Sequence, residues 1–206
     1  MERLRNQKGF TLIELAIVLI IIGVILGAVL KGQDLIQNAR AKQFISKVKA
    51  WEIAQWNYYD KKGKFAGATG SGLIGSGGGN VKNDLINAKF INPPYEGTTG
   101  SEANTITLGS YVFYVYFGND GSKNIMTICS NSTCDAFNDD NIVTYAEAFD
   151  TSIDGVSDGT KGQVIGTTTS FTPNSATWVA NFSSAPPAVA WASSIHAIVY
   201  YFDAKR

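Results

Sequence analysis

A long apolar run near the N-terminus constrains this chain more than any other feature. It extends from Phe10 to Leu30, and four residues interrupt it: Thr11, Glu14, Gly23 and Gly27. Roughly 20 apolar residues are enough to cross a bilayer as a helix. Three basic residues precede the run, namely Arg3, Arg5 and Lys8. Because a basic flank keeps its end of a membrane helix in the cytoplasm, the chain beyond Leu30 is expected on the outer side.

The unusual residue inside this run is Glu14. A carboxylate in a membrane helix costs on the order of 3 kcal/mol, so it indicates a function. Two alternatives are an ordinary signal anchor and a secretory signal peptide. A signal peptide has an apolar region of about 7–15 residues followed by a cleavage site of small residues. The run here is longer, and a plain anchor has no use for the carboxylate.

Residues 8–30, KGFTLIELAIVLIIIGVILGAVL, resemble the class III leader and N-terminal helix of type IV pilins and of type II secretion pseudopilins. The resemblance implies that a prepilin peptidase cleaves between Gly9 and Phe10 and methylates the new N-terminus at Phe10. It also implies that Glu14 acts in filament assembly. Beyond Leu30 the resemblance is only architectural. The proline that often kinks the helix of this family is absent after Leu30.

Helical periodicity continues after the apolar run. Gln55, Tyr58 and Tyr59 extend a face on which five apolar residues recur at helical spacing. These five are Ala41, Phe44, Ile45, Val48 and Trp51. Gly63 follows two lysines and is a helix stop signal. We therefore predict a leader over residues 1–9 and one helix over residues 10–62, of which 10–30 form the membrane or filament-core part. A headpiece follows over residues 63–206, with a glycine-rich loop at 67–80.

The headpiece pattern predicts a mixed fold. Strands are expected at 111–117, 125–129, 163–165 and 195–202, and a short helix at 84–91. A second helix is expected around 142–153, between a cap at 139–141 and Gly155. The predicted fold class is α+β, in which the long N-terminal helix packs on an antiparallel sheet of about four strands. This is the pilin fold that the resemblance implies.

Two cysteines, Cys129 and Cys134, are the only ones in the chain. In an exported chain an even cysteine count favours a disulfide, which here would close a short loop. The alternatives are two free thiols or half of a metal site. A zinc site would need further cysteine or histidine ligands, and the only histidine is His196. We favour the disulfide and expect no metal site.

The sequence shows no pattern of nucleophile, base and orienting residue, so we expect no enzyme activity and no cofactor. Glu147, Asp150 and Asp154 are spaced to share one helix face. Calcium favours oxygen clusters of this kind, but the spacing does not match an EF-hand loop. The favoured interpretation is a solvated acidic face, since carboxylates normally stay exposed.

The functional expectation is a structural subunit of an extracellular type IV pilus-like filament. A type II secretion pseudopilin, or a minor pilin that binds a surface or a ligand, is the alternative. Expected partners are further copies or other pilins in one filament, the prepilin peptidase and methyltransferase, the inner-membrane assembly platform, and membrane lipid before assembly. The precursor would be a single-pass inner-membrane protein with a cytoplasmic N-terminus, and the filament would be extracellular or periplasmic. Without the leader, 14 of the 17 basic and 16 of the 17 acidic residues remain, so no global attraction to nucleic acid is expected.

Overall fold

The computed structural model describes residues 10–98 and 100–203. Three α-helices and five strands lie in this part of the chain. In chain order they are α1 (Leu12–Lys62), α2 (Val81–Asn87), β1 (Thr105–Leu108), β2 (Tyr111–Asn119), β3 (Asn124–Cys129), α3 (Asp140–Asp154), β4 (Val164–Thr167) and β5 (Ala197–Tyr200). The chain divides into two compact units, one up to Arg40 and one from Ala41 onwards. They are called the N-terminal unit and the C-terminal unit below.

Helix α1 changes character along its length. Up to residue 40, no described side chain is buried, and the apolar residues from Phe10 to Leu30 are all exposed. From Ala41 onwards, the helix buries one stripe formed by Ala41, Phe44, Val48, Trp51, Gln55 and Tyr58. This confirms the predicted stripe, except that Ile45 is only half-buried and Tyr59 is exposed. The helix ends at Gly63, whose φ of 71° is easily adopted only without a Cβ atom.

The sheet has five strands in the order β1-β2-β3-β5-β4, and every neighbouring pair is antiparallel. It confirms the predicted fold class and corrects the expected strand number, because β1 was not predicted. β1 joins β2 through Gly109 and Ser110, and Leu108 pairs with Tyr111. Gly109 has a φ of 62°, as the two-residue turn of a tight hairpin requires.

The core lies between one face of the sheet and the helices α1 and α3. Phe44 of α1 contacts Phe113 of β2, with ring centroids 4.8 Å apart, and lies 6.2 Å from Phe149 of α3. Phe149 in turn lies 5.3 Å from Tyr200 of β5. Edge-to-face and tilted aromatic pairs at such distances add stabilisation beyond the area they bury. These aromatic residues thus join α1 and α3 to strands β2 and β5 of the sheet.

The opposite face of the sheet is covered by the irregular segment 168–190. Phe182 is buried there with Ile125, Ile165 and Val199, and Phe171 packs against the same group. The six residues of β3 and the four of β5 are consequently all buried. The prediction that the last strand is covered on both faces is confirmed, although the strand is only Ala197–Tyr200 rather than 195–202.

The two short helices of the C-terminal unit differ in how well the sequence predicted them. Helix α3 begins after Asp139, whose side chain accepts from the Asn141 N–H, and ends at Gly155, as expected. Helix α2 begins three residues earlier than predicted. The Asn83 N–H donates to the side chain of Asn80 at 2.9 Å, and this cap fixes the helix start.

The glycine-rich segment 67–80 contains a short 3-10 turn, Ser76–Gly78. Its middle is attached to the sheet through Ile74, which is fully buried. The Ile74 N–H donates to Asn124 Oδ1 at 2.7 Å, and Asn119 Nδ2 donates to Ile74 O at 2.7 Å. The side-chain amides of two strand residues therefore hold this segment against the sheet, whereas its composition alone indicates only a loop.

Candidate functional site

The candidate site is the start of helix α1. Gly9, on the leader side of the expected cleavage point, lies outside the described residues. Phe10 is 85 % exposed, and the helix begins two residues later at Leu12. Among the described residues, α1 is the one helix that is long and apolar enough to cross a membrane. A core helix or a signal sequence can satisfy the same criterion, so the geometry at the helix start has to be considered as well.

Thr11 and Glu14 form a reciprocal cap at this helix start. The Thr11 backbone N–H and hydroxyl each donate to Glu14 Oε2 at 2.8 Å. The Glu14 backbone N–H donates in return to Thr11 Oγ1 at 3.3 Å. This arrangement is a capping box, in which two otherwise unpaired donors of the first helical turn are satisfied. The signal for it, Thr-x-x-Glu before an apolar run, was present in the sequence and was not used in the prediction.

The capping box gives Glu14 a local role in the isolated chain. Both bonds from Thr11 end on Oε2, and within residues 10–98 and 100–203 no hydrogen bond reaches Oε1. Part of the cost of a carboxylate in an apolar helix is therefore offset by the chain itself. One oxygen stays available for a group from outside.

The disulfide expected in the C-terminal unit is present in the structure. Cys129 at the end of β3 is bonded to Cys134, with Cα atoms 5.0 Å apart. Both residues are buried, and Tyr116 and Ala197 pack in the same cluster. Tyr116 donates its hydroxyl proton to Ser132 O at 3.0 Å. The bond and this contact together fix the loop between the two cysteines against the sheet.

The carboxylates of α3 do not form the solvated acidic face that was expected. Asp150 is fully buried. Its Oδ2 accepts from the N–H groups of Asp158 and Gly159, at 3.1 and 3.0 Å, and from Trp191 Nε1 at 2.9 Å. Asp154 accepts from the N–H groups of Gln163 and Val164. The correct interpretation is that two aspartates fasten the loop after α3, while Glu147 stays exposed.

Burial raises the pKa of Asp150, although the bonds from Trp191, Gly159 and Asp158 act in the opposite direction. Its Oδ1 is buried without a hydrogen-bond partner, which disfavours the charged form further. Across the described residues, no group of three or more His, Cys, Asp and Glu side chains is arranged to hold a metal ion. Asp150 is thus a structural acceptor for backbone and indole donors.

A second polar group joins α1 to the sheet. Glu52 Oε2 accepts from Lys49 Nζ at 2.7 Å and from the Tyr200 hydroxyl at 3.0 Å. Lys49 Nζ also lies 3.0 Å from the Tyr200 oxygen. Desolvation alone would lower the pKa of Lys49, but the bonds to Glu52 and Tyr200 outweigh it and raise the pKa. This triad fixes the register of α1 on β5, and nothing in it has the geometry of a nucleophile and base.

The remaining candidate from the sequence is His196, which lies directly before β5. It is half-buried, and its backbone N–H donates to Thr167 O at 2.8 Å. This bond lengthens the pairing between β4 and β5 beyond the last ladder residues. The position fits a residue that packs at a strand end.

Comparison with known proteins concerns the start of the chain. The family model for the prokaryotic N-terminal methylation motif matches residues 4–30. No curated protein and no solved structure matches the chain. The match covers Arg5 and Lys8 of the basic flank, the expected cleavage point, the capping box and the whole apolar run. The chain therefore carries a class III prepilin leader, which supports its membership of the type IV pilin and pseudopilin family.

Proposed function

We propose that the chain is a structural subunit of an extracellular type IV pilus-like filament. The observation that carries the proposal is the apolar start of α1, which has no buried side chain and bears the N-terminal methylation motif. In this proposal the peptidase cleaves between Gly9 and Phe10 and methylates the Phe10 amine. The precursor is anchored in the inner membrane with residues 10–30, and residues 63–206 form the exported headpiece.

The apolar segment 10–30 needs surroundings other than water, and this supports its assembly with other helices. Side chains such as Leu12, Val24 and Leu30 are 88 %, 68 % and 66 % exposed. A helix that is apolar all round is stable only in lipid or among other helices. Lipid satisfies this requirement before assembly, and the same segments of neighbouring copies satisfy it in a filament core.

The role proposed for Glu14 follows from its two oxygens. Oε2 serves the intrachain cap, and Oε1 would accept from the methylated Phe10 amine of a neighbouring copy. Pairing offsets the desolvation of both charges, provided that the geometry is good. The cap and the intermolecular pair therefore use different atoms of one carboxylate.

Two substitutions separate these two roles. Glu14→Gln retains an acceptor for the capping box but removes the charge, whereas Glu14→Leu removes both. If the charge drives assembly, both variants should stay in the membrane as precursors and yield few sheared surface filaments in electron micrographs. A Glu14→Gln variant with wild-type filament yield would contradict the proposed ion pair. Absence of surface filaments from cells that express and process the wild-type chain would contradict the proposed function itself.

A further inference from the structure

A shallow groove lies beside the last turns of α1 in the C-terminal unit. Its walls include Ile53, Asn57 and Lys61 of α1 and Lys89, Phe90 and Ile91 after α2, and it encloses about 450 Å³. Ile91 is 99 % exposed and Ile53 is 55 % exposed. Exposed apolar side chains with a polar rim are typical of surfaces that bind another molecule.

The rim of this groove is basic. Lys61 Nζ lies 5.3 Å from the centre of the Phe90 ring, so its charge is held over the groove. The ion pairs of the described residues are Lys47–Glu96 and Lys49–Glu52, and neither involves a groove lysine. Residues 61–89 contain five lysines and a single acidic residue, Asp84. The groove therefore presents positive charge that forms no ion pair within the described part of its own chain.

The opposite charge is concentrated on helix α3 and around it. Residues 124–160 contain seven acidic residues and no lysine or arginine. Asp150 and Asp154 are used in holding the loop after α3, but Asp140 and Glu147 are exposed. These two are seven residues apart and lie on one helix face with the exposed Thr144. Neither forms an ion pair within residues 10–98 and 100–203.

We propose that the groove of one copy binds the exposed face of α3 of the next copy in the filament, an inference that rests on the proposed function. Lys61 and Lys89 would pair with Asp140 and Glu147, and Ile53 and Ile91 would be covered. The two surfaces come from different parts of the molecule, so the contact is heterologous. A heterologous contact whose rotation does not close generates an open helical assembly. Charge complementarity sets the register and excludes wrong partners.

Charge exchange tests the contact in assembled filaments of the full chain. The variants are K61E/K89E, D140K/E147K and the combined exchange of all four residues. Exposed ion pairs contribute little individually, so each double variant should lower filament yield by roughly fivefold. The combined variant should restore most of the yield. A matched control is K42E/K161E, which changes the net charge equally at exposed lysines outside the groove and should leave the yield unchanged.

The outcomes separate this contact from the function on which it rests. No filaments from the wild-type chain would overturn both proposals. Wild-type filaments with unchanged yield from K61E/K89E would overturn the contact alone. A loss in K61E/K89E that the combined variant fails to restore would also overturn it, and would indicate a different acidic partner, such as nucleic acid or anionic lipid. Circular dichroism of each purified full-length variant in detergent should match the wild type, since all four residues are exposed.

Discussion

Replacing Asp150 tests whether buried carboxylate bonding holds the loop after α3. Asp150→Ala leaves three donors without their acceptor: the N–H groups of Asp158 and Gly159 and the Trp191 indole N–H. A hydrogen bond to a charged group contributes about 1.5–3 kcal/mol. Gly159 is buried and Trp191 is half-buried, whereas Asp158 can be rehydrated more easily. Counting only the bonds from Gly159 and Trp191 gives a loss of about 3–6 kcal/mol in the free energy of unfolding.

Asp150→Asn is the matched control, because its amide oxygen can accept the same three bonds. We expect it to lose less than about 1 kcal/mol. The assay is a thermal and urea melt of a fragment that begins at Lys31 and therefore lacks the apolar segment 10–30, in which Asp150→Ala should lower Tm by roughly 10 °C. Equal losses in the two variants would show that the shape of the side chain, rather than its hydrogen bonding, holds the loop.

The pH dependence of stability, compared between the wild type and Asp150→Asn, tests the burial of this carboxylate independently. Burial raises the pKa of Asp150 above its ordinary value of 3.8, so the folded state retains a proton that the unfolded chain releases. This contribution to stability is fully present below pH 3.8 and is lost as the pH rises through the folded pKa. Asp150→Asn lacks the titration, so it should gain stability relative to the wild type as the pH rises above about 4. If urea melts show the same difference in the free energy of unfolding between the two proteins at every pH, the raised pKa of Asp150 would be contradicted.

Three further predictions concern other elements. Gly118→Ala should prevent folding of the C-terminal unit, measured by circular dichroism, because an added Cβ would lie 1.8 Å from the Ala180 carbonyl oxygen; cooperative melting at the wild-type temperature would refute this. Replacing Cys129 and Cys134 together by serine should lower the free energy of unfolding by about 2–3 kcal/mol in a urea melt, and an unchanged midpoint would argue against a stabilising disulfide. Thr11→Val removes the hydroxyl of the capping box and should destabilise the helix start by about 1 kcal/mol, measured as faster amide hydrogen exchange at Glu14 in micelles; exchange at the wild-type rate would refute it.

Local sequence signals predicted α3 well and missed β1. Helix α3 combines a helical period with a capping aspartate at 139 and a glycine at 155, so each local signal agrees with the others. β1 has only four residues, too few for a clear alternation. Its usable signal was the Gly109-Ser110 pair before β2, which is typical of a two-residue hairpin.

Tertiary contacts explain what the sequence could not predict. The spacing of Glu147, Asp150 and Asp154 indicates a shared helix face, but Asp150 is buried and Glu147 is exposed. The difference depends on a loop and on Trp191, which lies 41 residues away, and periodicity carries no information about such partners. The start of α1 was different, because its composition and its Thr-x-x-Glu pattern are both local. The proposed assembly role of Glu14 involves a second copy and stays a prediction.

Leader cleavage and assembly into a filament are tested together by the intact mass of the subunit in sheared surface filaments, with fragmentation of its N-terminus. We expect a chain that begins at Phe10, carries one added methyl group on its amine, and retains the Cys129–Cys134 bond. An N-terminus beyond Leu30 would indicate an ordinary signal peptide and would overturn the proposed pilin-like processing. Filaments built from a chain that still begins at Met1 would overturn it as well.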